Sequence, residues 1–308
     1  MKLLKSSWKS LAWTGIYIIL ILSLLTNLSL ITALLLIVPV IVLFNILDTK
    51  GFMIHVIPVW IVAFLIHPIY LLMALYFAVP AIFMGRCYKR RATALRTIVV
   101  GAATILVEML LLLFIGTVLF QFDLSQYMQD IVNITMKPLQ DMVASNGLST
   151  DLLPSTEDMS LLVDMTIQRI PYALIVSSFL MAIISHVIVR PILSGMGYSV
   201  PKLIPAREWR FPRSLIWYYL IGVVIDMIAY NSDSGYLNMI SANLVPILNV
   251  FFAIQAIGFF FYLAYIRKWH SIIPFLIAIP VLLFPPMAII GILDIAFPLR
   301  QLMTKPKR

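Results

Sequence analysis

Charge is scarce in this chain, and so are the residue groupings that catalytic, metal-binding or disulfide chemistry requires. Only 11% of the 308 residues are charged and 62% are hydrophobic. A soluble domain carries about 25% charged and roughly 45–50% apolar residues, so that class is excluded. Disorder is excluded as well, because so apolar a chain has ample surface to bury. One cysteine, Cys87, cannot form an internal disulfide. His55, His67 and His186 are not spaced one helical turn apart, so no metal site is expected, and no cofactor. The sequence has no Gly-x-Ser-x-Gly elbow, no Gly-rich phosphate loop with its Lys, no His-Glu-x-x-His and no paired carboxylates on one helix. The expected class is therefore not an enzyme.

Long apolar runs separated by short charged gaps are what the sequence does contain. A membrane-crossing helix needs about 20 apolar residues. Residues 11–47 exceed one such span, and the polar stretch around Thr26, Asn27 and Ser29 divides them into two helices. Further spans are read at 52–66, 68–85, 98–120, 171–189, 214–230 and 244–266, with Pro58, Pro68 and Pro80 making the third and fourth irregular. Residues 272–299 are apolar but broken by Pro274, Pro280, Pro285 and Pro286. They read either as one span or as a Pro-hinged hairpin. The start resembles a signal-peptide n-region with Lys2 and Lys5, but no small-residue cleavage site follows, so it is expected to remain as the first span. The fold class is thus all-α: a polytopic transmembrane bundle of about eight to ten spans.

The net charge of +9 reads as topology rather than as a nucleic-acid surface, because the basic residues lie in gaps between apolar runs. Basic groups fall at Lys2, Lys5 and Lys9, at Arg86 to Arg96, at Arg190 to Arg213, and at Arg267 and Lys268. Alternating spans put all of these on one side, which the positive-inside rule makes cytoplasmic together with the N-terminus. The opposite side receives residues 121–170, with Asp123, Asp130, Asp141, Asp151, Glu157, Asp158 and Asp164 against Lys137 and Arg169. Arg300, Lys305, Lys307 and Arg308 should be cytoplasmic too, which a single ninth span does not allow. Within 121–170, the spacing of Leu124, Tyr127, Met128, Ile131 and Val132 predicts an amphipathic helix before Pro138, and Leu161, Leu162 and Met165 predict a second. The chain accordingly divides into a six-span bundle over 1–196 that includes 121–170, a cytoplasmic basic loop over 197–213, and C-terminal helices over 214–308.

Ionisable groups inside a membrane are costly and normally face a cavity or a partner. Three carboxylates qualify: Glu108 in the middle of the fifth span, Asp226 deep in the seventh, and Asp294 in the last segment. Glu108, Asp226 and Thr104, one turn before Glu108, are the ligand-binding candidates. Protonation and hydrogen bonding to a neighbouring helix is the competing reading of Glu108. Asp294 and Arg300 lie close enough in sequence to pair as an interface anchor. Asn249 and Gln255 are read as interhelical hydrogen-bond partners, with Asn243 near the start of the same span. Ala173, Ser177, Ser178 and Ala182 give the sixth span a small-residue face, and Trp217, Tyr218 and Tyr219 read as an interfacial aromatic belt. Arg207, Trp209 and Arg210 stand out in the basic loop as docking residues for an intracellular partner or anionic lipid.

The stretch Pro205-Ala206-Arg207-Glu208-Trp209-Arg210-Phe211-Pro212, the run from Asn243 and Pro246 to Gln255 and Gly258, and the ending Gly291, Asp294, Arg300 together resemble the YybS-like family of uncharacterised bacterial membrane proteins. That resemblance covers most of the chain and implies a multi-pass protein of the bacterial cytoplasmic membrane. The first six spans are also similar in layout to the substrate-binding S components of energy-coupling-factor transporters, with irregular early spans and a basic loop after the fourth. Those proteins carry an Ala-x-x-x-Ala docking motif on the first helix, where this chain has Ala12 and Ile16, so the motif is missing. The partners expected are the lipid bilayer, a small-molecule ligand and a membrane or cytoplasmic protein, with no nucleic acid. Small-molecule binding or transport is the leading functional expectation, and a membrane scaffold that docks a cytoplasmic or cell-envelope partner is the alternative.

Overall fold

The computed structural model describes residues 8–146, 155–232, 234–297 and 299–304. Lys2, Lys5, Asp151, Lys305, Lys307 and Arg308, which mark the charge pattern, lie outside the described residues. Among those described, every regular element is a helix. Contacts divide the chain into two compact units. One holds the residues up to Phe120 with Leu174–Leu203, the other Gln121–Ala173 with Ile204–Arg308.

The first unit is built around a short central helix. α1 (Trp8–Ser23) is followed by a turn at Thr26 and Asn27, as the polar stretch there predicts, then by α2 (Ser29–Leu35) and α3 (Ile37–Ile46). From Ile37 to Leu43 every residue of α3 is buried. A helix apolar on all sides has no face for water and belongs in an interior. α4 (Thr49–Ile66) and α5 (Pro68–Lys89) pack around α3 together with α1. Asp48 caps α4 by accepting from the Gly51 amide at 3.0 Å. His67 holds the extended backbone that a residue before proline requires, and Pro68 opens α5 without losing an intrahelical bond. α6 (Ala94–Leu119) starts from a Thr93 cap, and α9 (Ile170–Gly195) supplies residues 174–195 to this unit. A Cβ on Gly101 would meet the Met84 side chain of α5 at 2.7 Å and lie 3.3 Å from the Ala182 Cβ of α9, so this glycine lets α6 approach both helices closely. The buried hydroxyl of Tyr88 on α5 meets His186 Nδ1 on α9 at 2.8 Å.

In the second unit, α7 (Leu124–Ser145) and α8 (Thr156–Gln168) form a packed pair. The expected break at Pro138 does not occur; the helix continues for two further turns. The carbonyl deprived of its partner belongs to Ile134, which is 73% exposed and can be satisfied by water. Ser155 and Asp158 cap α8 reciprocally, and these hydrogen bonds hold the Asp158 carboxyl below its ordinary pKa. α10 (Ser214–Tyr230) and α11 (Gly235–Ile266) follow, and α11 is the spine of the unit. Against it pack α10, α12 (Ile272–Leu283), α13 (Ile289–Ala296), α14 (Leu299–Thr304) and a 3-10 turn at Ala206–Glu208. Asn243 ties α11 to the preceding chain, donating to the Gln168 carbonyl and accepting from the Tyr172 amide, both at 2.7 Å. α12 and the segment Pro285–Ala296 are bent by 117°. The bend falls at Pro285 and Pro286, where the proline pair cannot continue a helix.

α4, α5, α6, α9 and α11 are long and apolar enough to cross a membrane, and the bent pair makes a sixth if it counts as one span. α1, residues 31–46 and α10 are shorter apolar helices. Among the described glycines of the second unit the tightest is Gly291, where a Cβ would overlap the Phe252 carbonyl of α11. Backbone cannot yield there, so Gly291→Ala is expected to force α13 off α11 and lower the melting temperature of the purified protein by several degrees. Gly15→Ala, which meets open space inside α1, should not lower it and can raise it slightly, since alanine is the better helix former. Equal melting temperatures for both variants and the wild type would refute the close packing.

Candidate functional site

The residues singled out in the basic loop, in α11 and in the last segment converge on one point. Arg300 and Asp294 form a buried ion pair, with side chains 3% and 1% exposed and a closest separation of 2.7 Å. The geometry is forked: Nε lies 3.2 and 3.0 Å from the two carboxylate oxygens, and Nη2 donates to Oδ2. Arg300 also donates from Nη1 to the Arg207 carbonyl at 2.8 Å and from Nη2 to the Trp209 carbonyl at 3.1 Å. A single guanidinium therefore pins both a carboxylate and the loop backbone. Its planar array of five donors makes this possible; a lysine ammonium could not span the same set.

Gln255 completes the arrangement from α11. Its Nε2 donates to Asp294 Oδ2 at 2.5 Å and its Oε1 accepts from the Phe211 amide at 2.9 Å. Both ends of this 2% exposed amide are thus satisfied, as burial demands. Gly258, one turn further along α11, lets the loop sit down: a Cβ there would lie 3.1 Å from the Ala206 carbonyl and 3.3 Å from the Trp209 Cβ. The Trp209 indole donates to the Ile204 carbonyl at 2.9 Å and closes the loop on itself. Where the loop meets the end of α11 there is a cleft of about 310 Å³ lined by Arg207, Glu208, Arg210, Tyr262, Tyr265 and Arg300. The Arg207 guanidinium stacks 4.1 Å over the Tyr265 ring, and Arg300 lies 5.2 Å over Tyr262.

The other candidates lie apart. Glu108 sits half-buried on α6 in the first unit, with Oε2 buried and without a hydrogen-bond partner among the described residues. Thr104 does not reach it; its hydroxyl donates to the Val100 carbonyl of its own helix at 2.7 Å. Asp226 on α10 accepts a hydrogen bond from Ser241 on α11, which joins two helices of the second unit. Asn249 was expected to bridge helices but makes no side-chain hydrogen bond among the described residues.

Tyr262, Tyr265 and Tyr88 were not identified from the sequence. The tyrosines at 262 and 265 are three apart near the end of a span and follow Gly258 by one and two turns, the spacing of one helix face. That signal was present but indistinguishable from an interfacial aromatic belt.

A multi-pass membrane fold organised in this way matches a known family across nearly all its length. Residues 15–295 match the family described as Predicted membrane protein (DUF2232), and the chain belongs to it. It is similar to the Uncharacterized protein YybS of Bacillus subtilis (strain 168), with 26% identity over 245 residues that cover 75% of each chain. No solved structure matches.

The forked pair predicts a specific sensitivity. Arg300→Lys keeps the charge but cannot hold Asp294 and both loop carbonyls. Two lost charge-assisted hydrogen bonds correspond to roughly 3 kcal/mol, so trypsin should cut the protein in detergent at Arg207 and Arg210 much faster than in the wild type. Unchanged cleavage would show that Arg300 does not hold the loop.

Proposed function

We propose that this is a multi-pass protein of the bacterial cytoplasmic membrane with eight to ten spans and a cytoplasmic N-terminus. On this reading it binds a small molecule for transport and performs no catalytic step. The orientation follows from the basic groups at Lys9, Arg86 to Arg96, Arg190 to Arg213, and Arg267 and Lys268. The span count is supported by the shorter apolar helices and the bent pair that stand beside the five long ones. The similarity in layout to S components supports placing the ligand in the N-terminal bundle.

One observation carries the reading. Glu108 stands in the middle of a 26-residue apolar helix with a carboxyl oxygen buried and unpartnered. Such a group in a membrane costs several kcal/mol unless something satisfies it. A ligand ammonium or a cation would do so. A panel of vitamins and cations should contain a member that raises the melting temperature of the wild type but not of Glu108→Gln, whose unliganded stability should equal or exceed the wild type's. A ligand that stabilises both alike would remove Glu108 from the site, and a panel without any stabilising member would count against ligand capture in the bundle.

The second reading, a scaffold that docks a partner through the basic loop, is favoured by the seating of that loop on α11 by Arg300 and Gln255. Crosslinking with pull-down separates the two. A stoichiometric ATPase partner supports transport, and a cell-envelope or signalling partner supports the scaffold.

A further inference from the structure

The cleft at the end of α11 has a composition that structural anchoring does not explain. Arg300 is committed to Asp294 and to the loop carbonyls. Arg207 and Arg210 line the same cleft and are committed to far less. The partners of Arg207 are the Tyr265 ring and Glu208, whose carboxylate is 3.8 Å away with both side chains well exposed. A pair of that kind contributes little. The Arg210 side chain is exposed and makes no hydrogen bond or ion pair among the described residues. Stacking on Tyr265 occupies the face of the Arg207 guanidinium and leaves its N–H edge for an acceptor in the same plane.

Position narrows the acceptor. α11 has 32 residues, about 48 Å of helix, against about 30 Å of hydrocarbon core. The apolar run of α11 stops at Ile266 and is followed by Arg267 and Lys268, which puts its last turns, with Tyr262 and Tyr265, at headgroup depth, where tyrosines and basic residues are favoured. At that depth the abundant anion is phosphate. Its oxygens can engage two guanidiniums together, whereas a carboxylate offers one planar edge. The volume of about 310 Å³ is enough for a headgroup.

We infer that this cleft binds a phosphate group between Arg207 and Arg210, on a loop that Arg300 holds in place. The phosphate is that of an anionic lipid headgroup or a free phosphate species, and Glu208 opposes it by its charge. The site shares no residue with the Glu108 reading, so either can fail alone.

The test uses the full chain purified in zwitterionic detergent. Short-chain phosphatidylglycerol, phosphatidylcholine of the same chain length and inorganic phosphate are titrated separately and in competition. The wild type should bind phosphatidylglycerol well above phosphatidylcholine. Arg207→Gln with Arg210→Gln should bind it roughly 30-fold more weakly, since each basic residue at an anionic surface contributes about a factor of five. Glu208→Gln should bind it more tightly. Arg213→Gln, on the same basic stretch but outside the cleft lining, should weaken binding far less than either cleft arginine does. Melting temperatures without lipid, unchanged in all variants, establish that the loop is still seated. Displacement by inorganic phosphate would identify phosphate alone as sufficient, and resistance to displacement would identify the lipid headgroup. The inference is overturned if phosphatidylcholine binds equally well, if the double variant binds as the wild type does, or if Arg213→Gln loses as much as the cleft variants.

Discussion

The C-terminal unit depends on one buried ion pair. Taking Arg300 and Asp294 out of water costs several kcal/mol per ion, and their mutual attraction offsets this only when the geometry is good and the remaining donors and acceptors are used. Here they are used: the guanidinium is shared between a carboxylate and two backbone carbonyls, and the carboxylate also accepts from Gln255. The same set of bonds reaches the basic loop, α11 and the last segment. Losing the pair would therefore release all three elements together, unlike an exposed salt bridge, whose loss is local.

Around that pair, glycine takes the positions where backbone meets backbone. Gly258 receives the loop and Gly291 receives α11, so the polar atoms of the cluster come within hydrogen-bonding range without a side chain intervening. The N-terminal unit is assembled differently. Its interior is the apolar helix α3, with small residues at the approach of α6 to α9 and scattered polar contacts such as Tyr88 with His186. Packing of that kind suits a bilayer, where apolar burial between helices gains little and close contact gains more. The two units thus differ in what holds them, and the polar cluster is the feature that distinguishes the second.

Much of the helical order was legible in the sequence because proline and charge punctuate it. The apolar run at 214–230 coincides with the helix α10, the break near Thr26 is present, and Pro285 with Pro286 marks the 117° bend. The pairing of Asp294 with Arg300 was legible too, six residues apart on one short stretch. The contacts from Arg300 to the carbonyls of Arg207 and Trp209 were not, since they span more than ninety residues and a backbone carbonyl leaves no mark in a sequence. Pro138 misled for a related reason. A proline ends a helix only where the orphaned carbonyl has nowhere else to bond, and Ile134 is exposed. The cleft tyrosines were hidden by the aromatic preference of membrane interfaces, which supplies a sufficient reason for any tyrosine at the end of a span.

The central claim is that Asp294 and Arg300 act as one unit, and a double-mutant cycle measures this directly. Asp294→Asn, Arg300→Gln and the double variant would be unfolded by titration from mild detergent into a denaturing one. Each single change leaves a buried charge unpaired, so each should cost about 3–5 kcal/mol, while the double variant should cost no more than either single. Costs that add in the double variant would contradict the claim, because they would show two independent side chains where the account requires a coupled pair.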